Sequence, residues 1–221
     1  DLGDESEFIP LMTSEDEEAL EKENLPDVLP ILPLTNTVLF PGVVIPINAG
    51  RDKSIKLIND ANKSNKLIGV VSQKDIKIEN PSIENIYSVG TVAKILRVLK
   101  MPDGNTTVII QGKKRFKIKS VVKTDPYIQA TINSLPDKTK KKSNNKFTAT
   151  IDAIRDIALK IIKENPNIPS EASFAIKNIH SSTFLINFVS SNMNISVKDK
   201  QDLLSSLNIE NRALKCLKFL N

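Results

Sequence analysis

Hydrophobic and polar positions along this chain follow two different periods, and the change between them falls near residue 136. Before this point, short apolar and β-branched segments alternate with Pro, Gly, Asn and Asp, which is typical of strands joined by turns. After it, apolar residues recur every three to four positions, which indicates helices. The pattern therefore predicts an α+β chain in which a β-rich lobe precedes an all-helical lobe.

The predicted β lobe covers residues 25–135. Val28–Leu34 and Val43–Ile47 both contain proline. Because proline cannot donate to a sheet ladder, both segments are predicted to be edge strands. A helix is predicted to follow, with Asp52 as its N-cap. Lys66–Gln73 is predicted to be a short buried strand.

A hairpin is predicted around the turn signal Pro102–Asn105. The strand after this turn alternates apolar and lysine residues, so its inward face is predicted to carry Phe116, Ile118 and Val122. Tyr127–Leu135 is predicted to be the last strand of the lobe.

The other segments divide the chain further. Residues 1–24 are acidic and poor in apolar residues, so a disordered tail is predicted there. Residues 136–146 are rich in lysine and are predicted to be a linker. Residues 147–221 carry the helical lobe, beginning with a long amphipathic helix and ending in a helix that the chain end is expected to truncate.

Charge is distributed unevenly along the chain. The net charge is +5, yet residues 1–23 carry −9, so the remaining residues carry +14. Residues 94–123 alone carry +8, a pattern that nucleic acid could recognise. Base-stacking aromatics are scarce at 5%, which favours a solvated lysine-rich face or one that the acidic tail screens.

Motifs for catalysis or metal binding are missing from the sequence. Gly112-Lys113 lacks the remaining residues of a phosphate-binding loop. One cysteine, Cys216, and one histidine, His180, cannot supply the four ligands of a structural zinc site. Cys216 lies on an apolar stripe and is predicted to be a core residue, and His180 is predicted to lie at a helix end. Composition alone leaves a Ser-Lys dyad open.

A series of motifs carries a family resemblance. They are Leu32-Pro33-Leu34, Phe40-Pro41-Gly42, Gly50-Arg51-Asp52-Lys53-Ser54, Val89-Gly90-Thr91-Val92-Ala93, Pro102-Asp103-Gly104, and Gly112 with Arg115. In this order they resemble the N-terminal domain of the Lon family of ATP-dependent serine proteases, over about residues 25–221. Thr35 stands where the family usually has Arg, and Met101 stands where it usually has Leu.

The resemblance implies a PUA-like, β-barrel-type lobe followed by a helical bundle. It implies a binding domain, without catalytic activity of its own, that engages unfolded or misfolded proteins. ATP and magnesium would belong to ATPase and protease modules elsewhere in the parent enzyme, and this chain is expected to hold no cofactor or metal. Self-association in a hexamer, a bacterial cytoplasmic location and no membrane contact are also implied.

Five residues are candidate substrate contacts. Leu39, Phe40 and Val43 flank the Pro41-Gly42 turn, and Arg51 and Lys53 lie at the predicted helix start. The alternatives are ordinary core positions for the apolar residues and a solvated helix end for the two cations. Two other functions remain open: a nucleic-acid-binding PUA-like module, and an oligomerisation scaffold that pairs through its amphipathic helices.

Overall fold

The computed structural model describes residues 12–138 and 144–221. Its strands are β1 (Val28–Leu34), β2 (Val44–Ala49), β3 (Leu67–Ser72), β4 (Val89–Lys100), β5 (Thr106–Lys123) and β6 (Gln129–Ser134). Its α-helices are α1 (Ser14–Lys22), α2 (Asp52–Asn62), α3 (Asn145–Glu164), α4 (Ser170–Asn178), α5 (Ser182–Asn192), α6 (Val197–Ser205) and α7 (Ile209–Leu220). Parts of the predicted tail, residues 1–11, and of the predicted linker, residues 139–143, lie outside the described residues.

The sheet closes on itself to form a barrel. Its strand order is β2-β5-β4-β3-β1-β6, and β6 also pairs with β5, so five strands form a ring. Closure is enabled by the length of β5, whose first half pairs with β2 and whose second half pairs with β6. Closing the ring removes the open edges of those five strands. The predicted α+β class with a barrel-type lobe and a following helical lobe is confirmed.

Strand β1 is internal to the sheet, so the prediction of an edge strand was wrong for Val28–Leu34. The strand pairs with β6 through Val28–Pro30 and with β3 through Ile31–Leu34. Each half therefore has a neighbour in the ladder on one side only. This is the condition under which a proline is tolerated at a sheet edge, and both prolines of β1 meet it. For β2 the edge prediction was right, because it pairs with β5 alone.

The face predicted for β5 holds only for its first part. Phe116 is fully buried and Ile118 is partly buried, but Val122 is 49% exposed. The register against β6 shifts between Ile118 and Ser120 and again between Val121 and Lys123. Each shift adds a residue to one strand and so breaks the two-residue period on which the prediction for Val122 rested.

Helix α2 packs against the barrel. Its buried side contributes Leu57, Ile58 and Ala61 to a hydrophobic cluster formed with the strands. The N-cap lies one residue earlier than predicted, because Arg51 is the N-cap and Asp52 is the first helical residue. Arg51 makes no side-chain capping hydrogen bond. The start of α2 is thus left without the side-chain acceptor that Ser, Thr, Asp or Asn usually provides.

The helical lobe packs against the barrel through a shared core. Val38, Phe40 and Val43 from the β lobe belong to the same buried cluster as residues of α3 to α7. Within this contact, the Pro41-Gly42 turn lies against α5. Gly42 has φ +79°, and a Cβ there would come within 2.9 Å of Phe184 Cδ2. Only glycine meets both conditions without strain.

Helix α1 is ordered, so the predicted disorder does not extend over Ser14–Lys22. Thr13 and Asp16 form a reciprocal capping box at its start. Glu17 accepts a hydrogen bond from Ser181, at the start of α5. Lys114 Nζ donates to the carbonyl oxygens of Glu21 and Glu23 at 2.6 and 2.7 Å. These contacts fix an acidic helix that has no buried residue of its own.

Candidate functional site

A cleft lies at the start of α2, between this helix, β1 and the loops that precede β4 and β6. Its volume is about 240 Å³. We call it the α2 cleft and define it by its lining residues, which are Ile31, Leu32, Pro33, Arg51, Lys53, Ser54, Leu57, Asn80, Pro81, Ser82, Ile83, Val121, Thr124, Tyr127 and Ile128. The walls are mostly apolar, with a few polar groups among them. Such a combination is typical of a binding site.

Two of the five predicted contacts, Arg51 and Lys53, line the α2 cleft. Arg51 Nη2 donates to Gln73 Oε1 at 2.5 Å. Gln73 is itself buried and held by hydrogen bonds from its amide to the carbonyl oxygens of Asp75 and Ile78. The Arg51 guanidinium is therefore oriented by a fixed partner, while Lys53 is exposed. Because the side chain is already ordered, the entropic cost of binding a ligand there is lower.

The other three predicted contacts are core residues in this structure. Leu39 packs under α2 in the barrel, and Phe40 and Val43 pack between the barrel and the helices. Their exposed fractions are 2%, 0% and 6%. The sequence suggested an exposed turn because Pro41-Gly42 is a turn signal. The turn faces the helical lobe instead of solvent, so the core alternative describes these three residues.

The two lobes are joined by a buried ionic cluster that sequence reasoning missed. Asp137 Oδ1 lies 2.6 Å from Arg115 Nη2 and 2.5 Å from Arg212 Nη2. Arg115 also donates to the carbonyl oxygens of Leu204 and Ser206 at 2.7 and 3.0 Å. Burial, followed by repulsion from Arg212, lowers the pKa of Arg115 to about 10. We call Arg115, Asp137 and Arg212 the seam cluster.

Part of the basic segment 94–123 is already engaged within the described chain. Arg115 belongs to the seam cluster, Lys114 bonds α1, and Lys113 Nζ lies 3.7 Å from Glu23 Oε2. The acidic segment that contains α1 and Glu23 therefore contacts two lysines of the basic segment, in agreement with the alternative in which the acidic segment screens the basic body. Six other cations of the segment are exposed: Lys94, Arg97, Lys100, Lys117, Lys119 and Lys123.

Cys216 and His180 occupy the positions predicted for them. Cys216 is fully buried, and burial raises the pKa of its thiol to about 11, so it is an unreactive core residue. His180 is exposed just after α4. Among the described residues, no three His, Cys, Asp or Glu side chains come together in a way that could hold a metal ion. In the same part of the chain, every helix is too short or too polar to span a bilayer.

The sequence matches a family defined as the ATP-dependent protease La (LON) substrate-binding domain, over residues 28–221. The chain belongs to this family. It is 61% identical over 221 residues to Lon protease from Flavobacterium johnsoniae and 48% identical over 215 residues to Lon protease from Cytophaga hutchinsonii. These alignments cover 100% and 97% of this chain but 27% and 26% of the two relatives. The chain therefore spans about a quarter of their length.

Solved structures show the same fold. The N-terminal domain of Mycobacterium avium complex Lon protease superposes with a TM-score of 0.71 at 19% identity, covering 87% of this chain and 97% of that one. A Lon N-terminal domain protein from Xanthomonas campestris gives 0.61 at 14% identity, covering 86% and 97%. At such identities the likeness concerns the fold alone, and it extends over both lobes.

Proposed function

We propose that this chain captures unfolded or misfolded polypeptides in the α2 cleft and delivers them to the ATPase and serine-protease modules of a Lon-type enzyme. The observation that carries the proposal is the cleft itself. It is open, mostly apolar and bordered by Arg51 and Lys53, in a chain that belongs to a substrate-binding family. Apolar walls suit the side chains that an unfolded protein exposes.

The wider setting belongs to the same proposal. The parent enzyme would use ATP and magnesium in modules outside this chain. It would act as a hexamer in the bacterial cytoplasm, in line with the bacterial relatives. A single cleft of this size binds weakly, and display of several copies on one particle raises the overall affinity through effective concentration.

The test compares one protein in its native form and in its reduced, alkylated form. Binding of each to the chain is measured by fluorescence anisotropy at physiological salt, with a single-stranded RNA in parallel. The unfolded form is expected to bind more tightly. Arg51→Ala should weaken this binding severalfold, because it removes a fixed cation from the cleft. Arg97→Ala, an exposed arginine on β4 away from the cleft, should leave it unchanged.

Equal affinity for the native and unfolded forms would contradict substrate capture. Binding of RNA that survives physiological salt would point to the nucleic-acid alternative, since nonspecific charge contacts weaken steeply as salt rises.

A further inference from the structure

Two strand edges border the same opening in the β lobe. Strand β2 pairs with β5 alone, and residues 31–34 of β1 pair with β3 alone, because β6 pairs only with the first half of β1. A hollow of about 210 Å³ is lined by residues 32–35, at the end of β1, and by residues 46–49 of β2. We call this hollow the edge gap. In the described part of the chain, no strand fills it.

The hydrogen bonds of β2 show which of its backbone groups are free. The carbonyl oxygen of Val43 accepts from the amide of Gly112, next to β5, at 2.9 Å. Since successive residues of a strand direct their N–H and C=O groups to opposite sides, every second residue from Val43 onwards bonds to β5. The residues between them, Val44, Pro46 and Asn48, direct these groups to the free edge. Proline has no N–H, so its place on this side leaves the ladder with β5 intact.

The edge of β1 contributes an acceptor to the same gap. The carbonyl oxygen of Leu34 accepts from the amide of Gln73 at 2.8 Å, on the side of β1 that faces β3. Pro33 is one residue earlier, so its carbonyl points to the opposite side of the strand, and its ring nitrogen has no hydrogen to donate. Pro33 itself lines the edge gap. The gap therefore has backbone acceptors on both sides and backbone donors on the β2 side.

These groups match the backbone of an extended polypeptide. A strand that pairs antiparallel with β2 exchanges two hydrogen bonds with Val44, two with Asn48, and donates one to the Pro46 carbonyl. Such main-chain bonds form with any side-chain sequence, which suits a domain that we propose to bind many unfolded proteins. Leu32 and Ile47 also line the gap and provide an apolar surface for every second side chain of the added strand.

The position of Pro46 disfavours a second copy of this chain as the occupant. If two β2 edges pair antiparallel about their centres, Pro46 of one lies opposite Pro46 of the other, and neither residue can donate. Proline at a free edge is one of the ways in which proteins prevent such self-pairing. A segment without proline retains the N–H that the Pro46 carbonyl accepts. The edge is therefore better matched to a foreign segment than to its own sequence.

We propose that the edge gap binds an extended segment of a polypeptide as an added strand antiparallel to β2, an inference that rests on the proposed function. The edge gap adjoins the α2 cleft, because Leu32, Pro33, Arg51 and Ser54 line both. One captured chain can therefore place its backbone along β2 and an apolar side chain in the α2 cleft. The edge gap supplies affinity without sequence preference, and the cleft selects for apolar residues.

The experiment uses a fluorescein-labelled peptide of alternating valine and threonine, flanked by glutamates for solubility. It is made once with free amides and once with its central amides N-methylated. Both forms carry the same side chains, but the methylated form cannot donate backbone hydrogen bonds. Anisotropy titrations with the chain give a dissociation constant for each. The methylated form is expected to bind at least roughly tenfold more weakly, because several backbone hydrogen bonds are lost.

A variant that gains affinity separates binding from folding. Pro46→Val adds an N–H to the free edge and should tighten the binding of the free-amide peptide roughly fivefold, the value of one hydrogen bond. A gain in affinity cannot come from unfolding. Pro166→Val makes the same exchange at an exposed position between α3 and α4 and should leave the affinity unchanged. Equal affinities of wild type and Pro46→Val would contradict pairing at this edge.

Hydrogen exchange followed by NMR locates the added strand. In the free chain, the amides of Val44 and Asn48 should exchange quickly, whereas those of Ile45 and Ile47, which bond to β5, should exchange slowly. The free-amide peptide should slow the exchange of Val44 and Asn48 and leave the other two unchanged. The methylated peptide should have no such effect.

Several results would overturn the inference. Equal affinities of the two peptides would show that the backbone is not recognised, and unchanged exchange at Val44 and Asn48 would place the peptide elsewhere. Slow exchange of these amides in the free chain, together with a dimeric mass, would mean that a second copy fills the gap. If unfolded protein is captured while both peptides bind alike, only this inference fails. If unfolded protein is not captured, the proposed function fails whatever the peptides do.

Discussion

Two groups of cations in this molecule differ in the hydrogen-bond and ion-pair partners of their side chains. In the seam cluster, the side chains of Arg115 and Arg212 are 2% and 1% exposed and share the carboxylate of Asp137. At the α2 cleft, Arg51 has one side-chain partner and Lys53 is exposed. A buried cation is stable only when its charge and donors are satisfied. The seam cluster therefore serves the fold, and the cleft cations remain available to a ligand.

The same difference separates the two ends of the segment that leads into α2. Phe40 and Val43 are enclosed between the lobes, and Arg51 opens onto the cleft. Enclosed residues should change stability when substituted, and open ones should change binding.

The largest effect is expected for Asp137→Ala. It leaves two buried guanidinium groups without their carboxylate, which should lower the free energy of unfolding by about 3 kcal/mol. This is the low end for a broken buried pair, chosen because Asp137 is itself 23% exposed. Urea unfolding monitored by circular dichroism measures it. Asp202→Ala breaks an exposed pair with Lys215 and should cost less than about 1 kcal/mol. Equal losses would contradict the structural role of the seam cluster.

A smaller effect on stability is expected for Arg51→Ala. It removes one hydrogen bond to Gln73, worth about 1 kcal/mol. Lys53→Ala, at an exposed position, should stay within about 0.5 kcal/mol of the wild type. The same urea experiment applies to both. A loss at Arg51 as large as that at Asp137 would mean that the cleft cations also hold the fold together.

The smallest effect concerns the docking of α1 and depends on pH. Burial raises the pKa of Glu17 above its ordinary value of 4.5. The folded state therefore binds this proton more tightly than the unfolded state. The resulting stability is fully present below pH 4.5 and is lost as pH rises through the raised pKa.

Glu17→Gln should remove this dependence, because an amide keeps the contact with Ser181 without carrying a charge. Thermal unfolding at pH 4.5 and pH 7 is compared between wild type and variant, with the exposed Glu18→Gln as the matched control. A pH dependence as large in Glu17→Gln as in the wild type would show that Glu17 does not contribute to it.

Local patterns were enough to predict most elements of the fold. The hairpin of β4 and β5, the switch to helices and the position of α2 follow from turn residues and periodicity. Val122 was misplaced because shifts in register leave no mark on the amino-acid pattern. The pairing of β1 was missed because a proline prevents a ladder hydrogen bond only on the side of the strand to which its nitrogen points. Whether another strand lies on that side is decided by the arrangement of the whole sheet.

The candidate site could be predicted in part. The family motif and the helix start drew attention to Arg51 and Lys53, which line the cleft. Asp137 lies 22 residues from Arg115 and 75 from Arg212, in a segment predicted to be a linker. No feature of the neighbouring sequence distinguishes Asp137 from any other aspartate.

The shared core has a consequence for the order in which the chain is made. By the end of β6 at Ser134 a ribosome has completed the barrel, yet Phe40 and Val43 still await the residues of α3 to α7 that cover them. Arg115 likewise awaits the carbonyl of Ser206. During synthesis the barrel therefore carries an uncovered apolar surface and an unpaired cation, which makes the half-finished chain prone to aggregation. A domain that we propose to bind unfolded proteins thus passes through a partly unfolded state itself.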